Sequence, residues 1–376
     1  DAHPNIEVRL FNPSRSRAGV LGRASEMLLR PVAMNRRMHN KAWIADGRVA
    51  VVGGRNVGDE YFDAAAQTNF LDLDAVLVGP AVRQTSAIFD DFWNSASVIP
   101  LAALSGAEES ALARLRAHGD AGYRSTRAAD YVARLRSSPG LPALVGGNAL
   151  HWLDEVGVYS DPAAKGQGEG KAQWLVHRLG RAMGLAKREL RVISPYFVPG
   201  EEGTRWLVGK RAQGVDVSVL TNSLAANDVM AVHGGYAPYR VPLLEGGVTL
   251  YELMPHGRQD SSLFGSSGAS LHTKAFAVDA ERGFIGSFNL DPRSVNLNTE
   301  MGILFRDRAA TAALLRSYEA KIAPDKSYRV RLLDGELRWD DASVAPPRTW
   351  DREPEASAWR RWTARAVGWL PIESQL

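Results

Sequence analysis

The chain contains no cysteine, which excludes disulfides and thiolate metal sites and leaves the redox compartment open. No apolar run approaches the roughly 20 residues of a membrane-spanning helix. Net charge is small: 45 Lys and Arg against 42 Asp and Glu leave +3. That is weak support for a nucleic-acid partner, and no aromatic–basic stacking motif adds to it. The chain starts at Asp1 without a signal-peptide pattern. What it does have is 45% hydrophobic and 23% charged residues over 376 positions, the profile of a globular protein with two domains or one duplicated domain.

Only eight histidines are present, and two of them open copies of one pattern. In the first, His39 and Lys41 are followed after four residues by Asp46, and after six more by Gly53, Gly54, Arg55 and Asn56. In the second, His272 and Lys274 are followed at the same intervals by Asp279 and by Gly286, Ser287, Phe288 and Asn289. Both copies alternate apolar residues up to the Asp and resume an apolar stretch after it. This predicts a strand, a tight turn at the Asp and a return strand. Alternate side chains of a strand share a face, so each His and Lys point the same way and the return strand brings the Asn beside them. Each copy thus clusters an imidazole, an ammonium and a carboxamide. Repetition of five residue types in one frame makes this signal strong, where a single His-x-Lys would be noise.

The duplicated His-Lys-Asp motif resembles that of the phospholipase D superfamily. Residues 35–41, 52–62, 194–200, 221–226 and 285–294 resemble the bacterial cardiolipin synthase C-like branch, and the similarity runs from about residue 5 to the C-terminus. The resemblance implies an α/β fold: two α/β/α sandwich halves related by an approximate two-fold, with mixed sheets flanked by helices. It implies a phosphatidyltransferase that passes a phosphatidyl group between phospholipids through a phosphohistidine. The expected partners are the membrane surface, phosphatidylglycerol and, as a candidate donor, phosphatidylethanolamine, at the bacterial inner membrane as a peripheral protein. The alternatives are a hydrolase that releases phosphatidic acid, a nuclease-like phosphodiesterase, and a membrane-binding module with a vestigial site. No nucleic-acid partner is expected.

Phosphodiester exchange needs a nucleophile, a proton for the leaving alkoxide and compensation for charge on the non-bridging oxygens. Two imidazoles meet the first two needs. By resemblance His39 is the nucleophile and His272 the acid and base. Lys41, Lys274, Asn56 and Asn289 can hold the phosphoryl oxygens, so catalysis is expected without cofactor or metal. A carboxylate on Nδ1 orients each ring; Asp72 for His39 and Glu300 for His272 occupy matching places on the strand after each motif. The resemblance makes Asp46 and Asp279 fasteners of their turns. Arg55 and Arg293 either touch phosphate or brace loops. Ser287 is a possible donor opposed by Gly54 at the equivalent position. His233, Tyr236 and Tyr239 are candidates for the substrate mouth, against the commoner reading of a satisfied helical histidine.

The expected domains are residues 1–100, a first half truncated at its N-terminus; 101–150, a helical insert; 151–325, the second half; and 326–376, a C-terminal extension. Truncation is inferred because only the strand within residues 6–13 matches the three strands and two helices that precede the second motif. A sheet lacking the others should expose apolar edges. Six arginines between residues 14 and 38, around a short helix, form either a solvated face or an electropositive approach to phosphate. Phe70–Val78 reads as one strand with Asp72 and Asp74 on one face. Residues 165–170, Gly-rich after Lys165, lack the Lys-Ser/Thr of a phosphate loop and read as a linker. Residues 355–370 form a helix with Trp359, Trp362, Ala366 and Trp369 on one side; it either packs on the domain or lies in a membrane interface.

Overall fold

The computed structural model describes residues 3–14, 35–65, 68–104, 109–137, 150–255, 268–369 and 375. Most of the Arg-rich segment, including the expected helix at Met27–Leu29, lies outside these. The backbone is α/β. A mixed ten-stranded sheet runs in the order Arg348–Trp350, Glu336–Asp341, Ser327–Leu333, Thr249–Leu253, Asp216–Asn222, Glu189–Ile193, Lys274–Val278, Arg282–Gly286, Met301–Arg306 and Glu155–Ser160. The three central strands Thr249–Leu253, Asp216–Asn222 and Glu189–Ile193 are parallel to one another, and their neighbours on both sides are antiparallel. Three of the strands come from residues 326–376, the expected C-terminal extension, and hydrogen bonding to Thr249–Leu253 adds them to the main sheet.

The first motif builds a smaller sheet, Ala42–Ala45, Val49–Gly53 and Asp74–Val78. Each motif hairpin turns on an aspartate with positive φ, +53° at Asp46 and +54° at Asp279. Asp tolerates this left-handed region better than branched residues do. Lys274–Val278 is buried throughout, with Glu189–Ile193 along one edge. Ala42–Ala45 is mostly exposed and pairs only with Val49–Gly53 among the described residues, leaving Trp43 in solvent.

Two apolar cores lie on the two faces of the large sheet. One packs the helices Leu175–Gly184, Gly200–Ala212 and Arg240–Glu245 against Val192, Val219, Leu250 and Phe276. The other is shared between the halves: Ala50, Val52, Leu77 and Val82 from the first meet Ile303, Phe305 and Leu314 from the second. Burying apolar surface contributes about 25 cal/mol per Å², so this common core fixes the two motifs relative to each other.

The stretch expected as one strand, Phe70–Val78, is two. Thr68–Leu71 pairs in parallel with Gly268–Leu271 of the other half, and Asp74–Val78 returns to its own sheet. The break falls at Asp72, whose Oδ1 accepts from the Leu73 amide at 2.8 Å and so turns the chain locally. Asp72 and Asp74 consequently serve different partners.

Candidate active site

Both motif histidines are held by segments of the opposite half. The backbone of the first motif crosses to residue 299: Thr299 N donates to Arg37 O and His39 N donates to Thr299 O, each at 2.9 Å. The second motif crosses likewise, with His272 N and Thr273 N both donating to Leu71 O at 2.8 and 2.9 Å. The residue after Thr299 is Glu300, and the residue after Leu71 is Asp72. The side chains follow. His39 Nδ1 is 2.7 Å from Glu300 Oε2, and His272 Nδ1 is 2.7 Å from Asp72 Oδ2.

This corrects the pairing expected from chain order, Asp72 with His39 and Glu300 with His272. The carboxylates are the anticipated residues, but each crosses the interface, because its strand ends against the other half's motif. With Nδ1 bonded to a carboxylate, Nε2 of each ring is left for substrate.

The two carboxylates differ in support. Glu300 also accepts from Ser287 Oγ at 2.5 Å and Ser294 Oγ at 3.0 Å. Burial alone would raise its pKa, but His39, Lys41 and the Ser287 hydroxyl hold it below the usual value. Burial raises the pKa of Asp72, opposed by Lys274. Ser287 therefore braces Glu300, with its hydroxyl hydrogen directed at that carboxylate. Its counterpart is Gly54 because a Cβ there would lie 2.7 Å from Asp72 Oδ1.

His272 is the more enclosed ring, 6% exposed against 25% for His39. Tyr61 packs edge-on against it at 5.0 Å and Phe70 at 5.2 Å. Tyr61 in turn accepts a hydrogen bond from Asn56 at 2.8 Å. Neither aromatic was singled out from the sequence; the aromatic content of residues 61–70, just ahead of Asp72, is the signal that points to them. Burial lowers the pKa of both imidazoles, helped at His272 by Lys274 and opposed at His39 by Glu300. Both rings therefore bind a proton less readily than a free imidazole. Burial takes Lys41 down to about 7, against the pull of Glu300, and Lys274 to about 8, against Asp72. Each ammonium donates to its own motif's His carbonyl, at 2.7 and 2.6 Å. The Asn289 carboxamide oxygen is buried with no hydrogen-bond partner; an amide flip places the NH₂ at the same point.

The remaining expected residues lie elsewhere. Asp279 accepts from the backbone amides of Lys187, Arg188 and Glu189, the nearest at 2.8 Å, and so ties its turn to the next strand. Asp46 occupies the same left-handed turn position in the first half. Arg55 braces its loop, bonding Asp74 Oδ2 at 2.6 Å and the carbonyls of Tyr61 and Asp72. Arg293 holds Asn35. His233 and Tyr236 are not at a mouth: both are buried in a network with Glu353, Arg240 and Glu252. The commoner reading, a satisfied helical histidine, is met in part: His233 Nε2 contacts Glu353 Oε1 at 3.1 Å, while its Nδ1 is buried without a hydrogen-bond partner.

Lys165, taken for part of a linker, is fully buried. Its ammonium bonds Asp161 Oδ2 at 2.9 Å and Ser294 O at 2.8 Å, with Trp174 over it at 4.9 Å. Asp161 also accepts from Glu300 N at 2.9 Å. The pair therefore supports Glu300 from behind. The glycines around it, Gly168 and Gly170, take positive φ and make a compact turn.

The crystal structure of phosphatidylserine synthase from Haemophilus influenzae Rd KW20 superposes with a TM-score of 0.52 at 12% identity, covering 90% of this chain and 71% of that one. The two chains thus share a fold. A family model described as "Cardiolipin synthase, PLD-like domain" matches residues 179–322. Cardiolipin synthase C of Escherichia coli (strain K12) is 39% identical over 388 aligned residues, covering 99% of this chain and 80% of its own. Cardiolipin synthase A of Yersinia pseudotuberculosis is 25% identical over 88% of this chain and 53% of its own. The chain belongs to the cardiolipin synthase branch of the phospholipase D superfamily.

Proposed function

We propose that the protein is a phosphatidyltransferase of the cardiolipin synthase type, moving a phosphatidyl group between phospholipids through a phosphohistidine on His39. The observation that carries this is the pair of crossed imidazole–carboxylate contacts within a family of lipid transferases. Glu300, held ionised behind Nδ1, leaves His39 neutral and electron-rich at Nε2, suited to attack phosphorus. It also stabilises the positive ring of the resulting phosphohistidine. As the N–P bond forms, the P–O bond to the headgroup breaks. His272 gives its Nε2 proton to that alkoxide, having taken it up once the bound phosphodiester's negative charge raised its proton affinity. In the second step His272 removes the proton of the incoming lipid hydroxyl, which attacks phosphorus and frees His39. Lys41, Lys274 and the Asn289 carboxamide balance the charge on the non-bridging oxygens.

Phosphatidylglycerol is the proposed acceptor, with phosphatidylglycerol or phosphatidylethanolamine as donor, at the surface of the bacterial inner membrane. No helix among the described residues is long and apolar enough to cross a membrane. The test is incubation with labelled phosphatidylglycerol, with and without phosphatidylethanolamine. Labelled cardiolipin is the expected product; phosphatidic acid alone would make the protein a hydrolase, and no product would refute the proposal.

A further inference from the structure

The C-terminal helix Ala358–Gly368 carries three tryptophans that face solvent: Trp359 is 65% exposed, Trp362 62% and Trp369, just past its end, 86%. Trp359 and Trp362 stack on each other at 5.2 Å. Tryptophan is normally well buried, and a contiguous exposed patch of this kind marks a binding surface. At roughly 100° per residue, positions 359, 362, 366 and 369 fall within about 80° of one another. Ala364, the residue of this helix that is buried, lies on the opposite side.

The helix is not a loose tail whose tryptophans happen to lack a partner. Ser357 caps it through the Arg360 amide. Ala364 packs with Leu224 and Ala356. The helix crosses Met230–Tyr236 so closely that a Cβ on Gly234 would sit 2.5 Å from Ala364 O. Arg360 bonds the carbonyls of Leu224 and Asn227 at 2.9 and 2.5 Å. Ahead of it, Glu353 is held by Arg240 at 2.6 Å and by His233. The stripe is therefore presented outward by a fixed scaffold.

That scaffold adjoins the cleft. The loop gripped by Arg360 follows strand Asp216–Asn222, and Asn222 is bonded both ways to Leu271, the residue before His272. Asp228, next in the loop, accepts from Tyr196 and acts electrostatically on Lys274 and Tyr61.

We propose that this helix is a bilayer-docking element, lying in the interface of an anionic phospholipid membrane with its tryptophans at headgroup level, beside the mouth of the cleft. The chemistry selects a bilayer over a protein partner. Indole rings favour the membrane–water interface. Residues 357–369 contain three arginines and no acidic residue, and Arg361 and Arg365 border the stripe on one side. A second copy would bring like charges together, whereas anionic headgroups complement them. The surface stands on this helix alone and is independent of the transfer reaction, so the experiment reads binding and turnover separately.

The full chain is floated with vesicles of phosphatidylcholine containing phosphatidylglycerol, or of phosphatidylcholine alone. The parent should bind the anionic vesicles, with quenching of tryptophan emission by lipids brominated near the headgroup. The W359S/W362S/W369S variant should bind about tenfold less or weaker and lose that quenching, while cleaving a water-soluble phosphodiester at the parental rate. R361Q/R365Q should lose the preference for anionic vesicles. Equal flotation of the triple variant and the parent would overturn the proposal. So would a change in sedimenting mass on mutation with vesicle binding unaffected, which would identify a second copy as the occupant.

Discussion

Replacing Glu300 by Gln and Asp72 by Asn separates the two histidines, because each carboxylate stands behind the ring of the other half. Gln and Asn keep shape and remove charge. Loss of the carboxylate behind a catalytic imidazole in a Ser-His-Asp triad costs about 10⁴-fold, or about 5.5 kcal/mol of transition-state stabilisation. A similar loss is expected for Glu300→Gln, since Glu300 is buried and accepts from His39, Ser287 and Ser294. With a lipid analogue whose leaving group is nitrophenolate, the first step needs no proton donor. Asp72→Asn should then retain the burst and accumulate phosphohistidine, since His272 is no longer poised as base for the second step. Glu300→Gln should lose both burst and adduct. Quenched-flow measurement of the burst, with peptide mapping of the adduct, reads the outcome. An adduct on His39 that vanishes in Asp72→Asn and builds up in Glu300→Gln would refute the crossed pairing. An adduct on His272 that vanishes in Asp72→Asn would leave the pairing intact and reverse the histidine roles.

The lysines predict the alkaline limb. Lys41 and Lys274 are lowered to about 7 and about 8, so their charge is present below those values and lost as pH rises through them. kcat/KM should fall above that window, and Lys41→Arg should move the limb upward; an unchanged limb in that variant would remove Lys41 from phosphate binding. Asp279→Ala should cost about 2 kcal/mol in denaturant unfolding by freeing three backbone amides, with kcat of the folded protein unchanged; a large loss of kcat would return Asp279 to the chemistry. Lys165→Met should destabilise by about 3 kcal/mol or more, because it strands buried Asp161 without its cation; thermal unfolding showing no change would mean that pair carries no weight. Exhaustive chelation should leave turnover intact, since Lys and Asn supply the charge compensation; recovery only on adding a divalent ion would overturn this.

The motif hairpins were legible because two local rules coincide there: an alternation of period two and an aspartate able to turn the chain with positive φ. The identities of Asp72 and Glu300 were legible too, from their matching places after each motif. Their partners were not. Partner choice is set by two crossings between halves, at Leu71 with His272 and at Thr299 with His39, and no pattern along either segment records which edge meets which. Lys165 was misjudged for a related reason. Glycines at 166, 168 and 170 read as flexibility, whereas two of them take left-handed φ to fold a tight turn, and the buried cation makes sense only beside Asp161 and Ser294. His233 and Tyr236 were candidates for a mouth but are buried, and the partner of His233, Glu353, comes from beyond residue 350, where nothing local in the sequence points to it.

The crossing also explains why the repeat is kept as a pair. A hairpin folded from one copy contains an imidazole and a lysine but no carboxylate on Nδ1, so its histidine has neither a fixed tautomer nor a counter-charge. Burying such a ring beside an ammonium only lowers its affinity for a proton, as Lys274 does to His272. Glu300 and Asp72 become useful when the shared core of Val52, Leu77, Ile303 and Phe305 has closed, and closure orients both rings at once. Packing between the halves and competence of the site are therefore one event, and substitutions in that apolar interface should appear as loss of activity before loss of secondary structure.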